Sequence, residues 1–121
     1  MANECFFTLG DTSQGLARKL SEGITTRIFF GENVMISAVE VAPNVVGTVH
    51  SHPEEQWGYL IEGECIRVQG GRDYPVKAGD LWHTPANVPH GVRTGARRAV
   101  ILDIFSPPRK AYKTEGEGFG D

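Results

Sequence analysis

The chain has 121 residues, 40% of them hydrophobic and 22% charged, with a formal net charge of −3. That is one globular domain with a single core, too short for two. With no run of Lys or Arg, it has no electrostatic footprint for nucleic acid or an anionic membrane surface. Two cysteines, Cys5 and Cys65, are too few for a disulfide framework and lack metal-motif spacing. The opening MANECFFTLG has neither a basic start nor a long apolar run, so a cytoplasmic location is expected.

Fifteen glycines and seven prolines interrupt the chain every few residues. No stretch of a dozen residues keeps a helical period, whereas alternation with period two recurs, so the chain is expected to be all-β. Residues 1–23 form an N-terminal segment in which Gly15 to Glu22 reads as one helical turn or a short strand. Ile24 to Phe30 is a predicted strand. Val34 to Val41 is the clearest one, with Met35, Ser37, Val39 and Val41 on one face. Thr48 to His52 is a short predicted strand stopped by Pro53. Gln56 to Ile61 and Cys65 to Gln69 form a hairpin around Gly63. Arg72 to Val76, Leu81 to Thr84, His90 to Arg93 and Ala99 to Phe105 complete the set. Short strands at this spacing build a sandwich or closed barrel over residues 24–109. Residues 110–121 are glycine-rich and acidic, and a mobile or partner-swapped tail is expected.

Several side chains carry chemistry. His50 and His52 are two apart on a predicted strand, which puts both imidazoles on one face. The alternative is a pair of exposed histidines beside a turn. Gln56 follows four residues later with an amide oxygen that could reach the same point. His90, after a Pro-Ala-Asn-Val-Pro loop, could approach from a neighbouring strand. Such a nitrogen and oxygen set suits one divalent Zn, Mn, Fe, Co or Ni ion.

The segment Gly47-Thr-Val-His50-Ser-His52-Pro-Glu-Glu-Gln56-Trp-Gly-Tyr-Leu-Ile-Glu-Gly63 resembles the first motif of the cupin superfamily. Gly79-Asp-Leu-Trp-His-Thr-Pro85-Ala-Asn87-Val-Pro-His90 resembles the second. The resemblance implies a double-stranded β-helix, or jelly-roll barrel, with His50, His52, Gln56 and His90 holding metal inside it. The family's usual glutamate is Gln56 here, with Glu55 as an alternative ligand. Asn87 replaces a glycine and, like it, can visit the left-handed region. An amide cancels none of the metal's charge, so the site favours anionic ligands and lyase, isomerase or hydrolytic chemistry over redox chemistry.

Ile101, Asp103 and Phe105 share one strand face. If that face is interior, Asp103 is a buried acid suited to proton transfer. Arg109, after two prolines, could clamp a carboxylate. The alternatives are an outward Asp103 and a solvated Arg109. His83 reads as structural or exposed, and the inward or outward direction of Arg67 and Arg93 stays open. The order His-x-His-x3-Gln, His, Asp-x-Phe-Ser-Pro-x-Arg resembles the pectin-degradation cupins of the KdgF type, which linearise unsaturated uronates. The resemblance implies that Asp103, Phe105 and Arg109 line a site for a small anionic substrate. A cupin dioxygenase, another metal-dependent isomerase or lyase, and a non-catalytic ligand-binding module are the competing readings. A homodimer is expected, because an open barrel leaves edge strands exposed.

Overall fold

The computed structural model describes residues 5–114 and 116–119; the first four residues of the N-terminal segment and residues 115, 120 and 121 of the tail lie outside the described residues. The described residues form nine strands: β1 Leu16–Ser21, β2 Ile24–Phe30, β3 Met35–Val41, β4 Glu55–Glu62, β5 Glu64–Gln69, β6 Arg72–Lys77, β7 Leu81–Thr84, β8 His90–Arg93 and β9 Ala99–Ser106. A 3-10 turn, Lys110–Lys113, follows β9.

The strands make two antiparallel sheets. One has six strands in the order β1-β2-β3-β9-β4-β7, and the other has three in the order β6-β5-β8. Residues of both sheets line a common cavity, so the core lies between them. On β3, Met35, Ser37, Val39 and Val41 point inward as their alternation predicts. Leu20, Ile24, Leu60 and Ile101 fill the rest of that interior from β1, β2, β4 and β9. The jelly-roll expectation holds.

Glycine is indispensable at two positions. Gly63 closes the β4–β5 hairpin at φ 87°, and a Cβ there would stand 2.1 Å from the Arg98 carbonyl oxygen. Gly58 faces inward on β4, where a Cβ would meet Trp82 Nε1 at 2.2 Å. Its missing side chain leaves room for the indole of Trp82, its partner on the neighbouring strand β7. Asn87 does take the left-handed conformation, at φ 67°.

Of the two readings of Gly15 to Glu22, the structure takes the short strand, as β1. It departs from the sequence reading at two places. Residues 116–119 of the tail, expected mobile or partner-swapped, lie against β1 of the same chain, where Glu117 bridges Lys19. Thr48 to His52 is not a strand: it is irregular apart from a single antiparallel bridge between His50 and His90. Pro53 cannot extend a ladder. The two backbone hydrogen bonds of that bridge, both 2.9 Å, pin the segment instead.

Candidate metal centre

Three elements bring the imidazoles together. His50 and His52 lie on the irregular segment before β4, Gln56 is the second residue of β4, and His90 begins β8. The bridge to His50 locks β8 against the irregular segment. The nearest ring nitrogens of His50, His52 and His90 all lie within 4.8 Å of one another. His52, Gln56 and His90 are buried, while His50 is partly open.

Each ring is oriented by a backbone carbonyl. Nδ1 of His50 bonds the Thr48 oxygen at 3.1 Å, that of His52 the Glu54 oxygen at 3.0 Å, and that of His90 the Val88 oxygen at 2.9 Å. A carbonyl only accepts, so these partners assign the proton to Nδ1 in all three rings. Every Nε2 therefore presents a lone pair. That of His90 is sealed from solvent, with no partner among the described residues. That of His52 stands 3.0 Å from the Gln56 amide oxygen, so two acceptors face each other. Two ligands about 2.1 Å from one ion at a right angle would be about 3 Å apart. An orphaned lone pair and a facing pair of acceptors fit a cation, and His50, His52, Gln56 and His90 could hold one.

Burial keeps the rings neutral. Desolvation, helped by the nearby Arg67 guanidinium, lowers His90 to about 3. Desolvation, with Arg109 adding to it, lowers His50 to about 4. His52 is lowered by the same two causes as His50.

Asp103 and Phe105 face the same cavity from β9, along with Gln56 and His90. The Asp103 carboxyl is raised from 3.8 to about 6 by desolvation, against the opposing pull of Arg67 and the Gln56 amide. Its Oδ1 is sealed and has no hydrogen bond, although the residue as a whole is only half-buried; the cavity reaches the rest of the side chain. Phe105 packs edge-on against His52, with centroids 5.5 Å apart. Arg109 is 2% exposed, so it is not solvated. Its guanidinium stacks on Tyr112 at 4.4 Å, behind the cavity wall, so Arg109 does not line the cavity as expected, and among the described residues Nη1 is buried without a hydrogen-bond partner. Glu54 bridges the two regions, 3.4 Å from Arg109 Nε and 3.5 Å from His52 Nδ1.

Glu55 points away from the imidazoles, to the exposed His83 at 2.6 Å. Arg67 points inward and Arg93 outward, where it pairs with Asp73. Sequence reasoning left Arg67 open, yet it is a cavity wall residue. Its Nη2 donates to Thr84 Oγ1 at 2.8 Å and its Nε to Gln69 Oε1 at 3.3 Å, while its guanidinium lies 5.5 Å from the Trp82 ring centroid. The one available signal was Thr84, two residues after Trp82 on a short strand that alternation turns inward. Cys65 is buried and Cys5 exposed, both as free thiols.

The family description Cupin domain matches residues 37–105. The chain belongs to the cupin family. Over 96 residues it is 31% identical to the pectin degradation protein KdgF of Dickeya dadantii, an alignment that covers 78% of this chain and 87% of that one. Among solved structures, an RmlC-like cupin from Shewanella frigidimarina superposes with a TM-score of 0.77 at 25% identity, covering 88% of this chain and 95% of the other. KdgF from a Halomonas species superposes with a TM-score of 0.74 at 24% identity, covering 84% and 94%. That last likeness speaks to the fold alone. Among the described residues, no helix of this cupin is long and apolar enough to cross a membrane.

Proposed function

We propose that this cupin is a metal-dependent enzyme that opens the ring of unsaturated uronates from pectin or alginate breakdown. The observation that carries the reading is the convergence of Nε2 lone pairs beside the buried Asp103 carboxyl, which has no ion-pair partner among the described residues. Similarity to the Dickeya KdgF supports the choice of substrate.

Charge supports it too. Among the described residues, two buried guanidiniums, Arg67 and Arg109, stand near the site against the carboxylates Asp103 and Glu54. The ligand set of three imidazoles and an amide is neutral. A divalent ion there leaves the interior positive, which favours an anionic substrate.

Ring opening is an isomerisation. The ring carbon–oxygen bond at the hemiacetal carbon breaks and that carbon becomes an aldehyde; the enol oxygen so released becomes a ketone as the carbon–carbon double bond takes up, at carbon, the proton lost by the hemiacetal hydroxyl. A divalent ion, when bound by His50, His52, Gln56 and His90, supplies Lewis acidity toward a substrate oxygen. Asp103 takes the hydroxyl proton and returns it to carbon, a task suited to a carboxyl whose affinity for protons lies near neutrality. Arg67, whose guanidinium stands in the cavity wall, holds the substrate carboxylate, and Arg109, behind Tyr112, fixes Glu54 beside the His52 ring. Phe105 forms the apolar wall beside the reacting carbons. The Nδ1 bonds to Thr48, Glu54 and Val88 keep the rings fixed while the proton moves.

The test is the decay of ultraviolet absorbance of unsaturated galacturonate and its alginate counterpart with protein of known metal content and a chelated control. Metal-dependent decay above the spontaneous rate is expected. No acceleration by fully loaded protein refutes the substrate assignment.

A further inference from the structure

The cavity over the three imidazoles is closed on one side by the chain's own C-terminal segment. After the 3-10 turn, residues 116–119 run back along β1. Glu117 bridges Lys19 in parallel, and the Gly118 amide donates to the Lys19 carbonyl at 2.8 Å. Arg18, 8% exposed, gives its guanidinium wholly to this part of the backbone. Its Nε donates to the Gly118 oxygen at 2.9 Å, Nη2 to that of Glu117 at 2.9 Å, and Nη1 to those of Ala111 and Thr114 at 2.7 and 3.3 Å. A buried guanidinium is tolerable only when its donors are satisfied. Among the described residues, carbonyls of this segment alone satisfy these donors.

The segment ends over the metal centre. The Phe119 ring stacks on the His50 imidazole with centroids 4.1 Å apart and planes 27° apart. Phe119 and His50 line the same cavity as Gln56 and Asp103. With Phe119 in place the cavity measures about 40 Å³. Liquid water occupies about 30 Å³ per molecule, and small-molecule sites usually offer about 300 Å³ or more. So narrow a space favours an ion with a water or a two-carbon acid over a six-carbon sugar acid.

We propose that Phe119 is a specificity-determining residue of this site: a displaceable wall that selects by size what reaches His50, His52 and His90, with Arg18 as the residue that positions it. The inference rests on the metal-centre reading and narrows its substrate step. A uronate enters only when Phe119 leaves His50, whereas a two-carbon acid binds beneath it.

The experiment uses full-length protein loaded with Co²⁺, whose visible spectrum reports ligand binding without turnover. Glycolate and galacturonate, a stable six-carbon acid, are titrated into wild type, Phe119→Ala and Phe119→Trp. The rate at which EDTA strips the cobalt is measured in parallel, with thermal unfolding as a folding control. Phe119→Ala is expected to tighten galacturonate relative to glycolate at least tenfold and to release cobalt at least tenfold faster. Phe119→Trp should shift both the other way, and Arg18→Gln should resemble Phe119→Ala. Unchanged release rates and an unchanged ratio of the two affinities overturn the proposal. Faster release in Phe119→Ala with no galacturonate binding by any form upholds the wall and overturns the uronate reading. Failure of every form to take up cobalt overturns both.

Discussion

Acidifying the metal-free protein from pH 7 to pH 5 probes whether the imidazoles are held neutral in the barrel. His90 has a folded pKa of about 3 against 6.5 for the free ring. Only the unfolded chain gains this proton in that window, so stability falls as the pH falls below 6.5. By pH 5 the loss from His90 alone is about 2 kcal/mol. His50, lowered to about 4 but partly open to solvent, adds a smaller loss of the same sign. Asp103 works in the opposite direction. Raised from 3.8 to about 6, its carboxyl destabilises the fold fully above about 6, and that burden lifts as the pH falls. Between pH 7 and 5 it returns roughly 1 kcal/mol. The net expectation is a loss of roughly 1–3 kcal/mol. Urea unfolding followed by tryptophan fluorescence, with chelator present, measures it at each pH. Asp103→Asn removes the offset, so that variant should be more stable than wild type at pH 7 and fall more steeply. A flat stability profile between pH 7 and 5 in the wild-type protein would refute the reasoning.

Other consequences follow from the same geometry. Asp103→Asn should lower kcat on unsaturated galacturonate by about 10²- to 10⁴-fold, the usual contribution of a positioned acid–base group, while leaving cobalt uptake intact; undiminished turnover would remove the proton-transfer role. Arg67→Lys should raise KM with little change in kcat, since a point charge replaces a planar fork in the cavity wall; a pure kcat defect would contradict carboxylate binding. Gly63→Ala forces a side chain at φ 87° into the Arg98 carbonyl and should cost about 1–3 kcal/mol in chemical denaturation. On the outer face of β4, Trp57, Tyr59 and Ile61 are exposed, with Leu81 opposite Tyr59. A second copy would cover this row. Sedimentation should show twice the monomer mass, and Ile61→Glu should halve it.

Much of this protein is legible as sequence because its signals are local. Strand alternation is a property of neighbouring residues, so β2, β7 and β8 were placed with their bounds intact and the inward face of β3 with its residues. The spacing of His50 and His52, joined to Gln56 and His90 by the resemblance to the two cupin motifs, pointed to the cluster even though the first pair lies on no strand. The glycine frame and a single bridge to β8 hold those residues as a strand would have done. What the sequence left open is long-range. Period two says that Arg67 and Cys65 share a face, but the sheet packed opposite decides which face is inside. Arg109 lies behind Tyr112 because the 3-10 turn folds over it. The meeting of Arg18 with Gly118, 100 residues away, and of Phe119 with His50 leaves no local pattern to read. Such contacts are set by where closure of the whole barrel brings the chain's ends, and only the tertiary structure decides that.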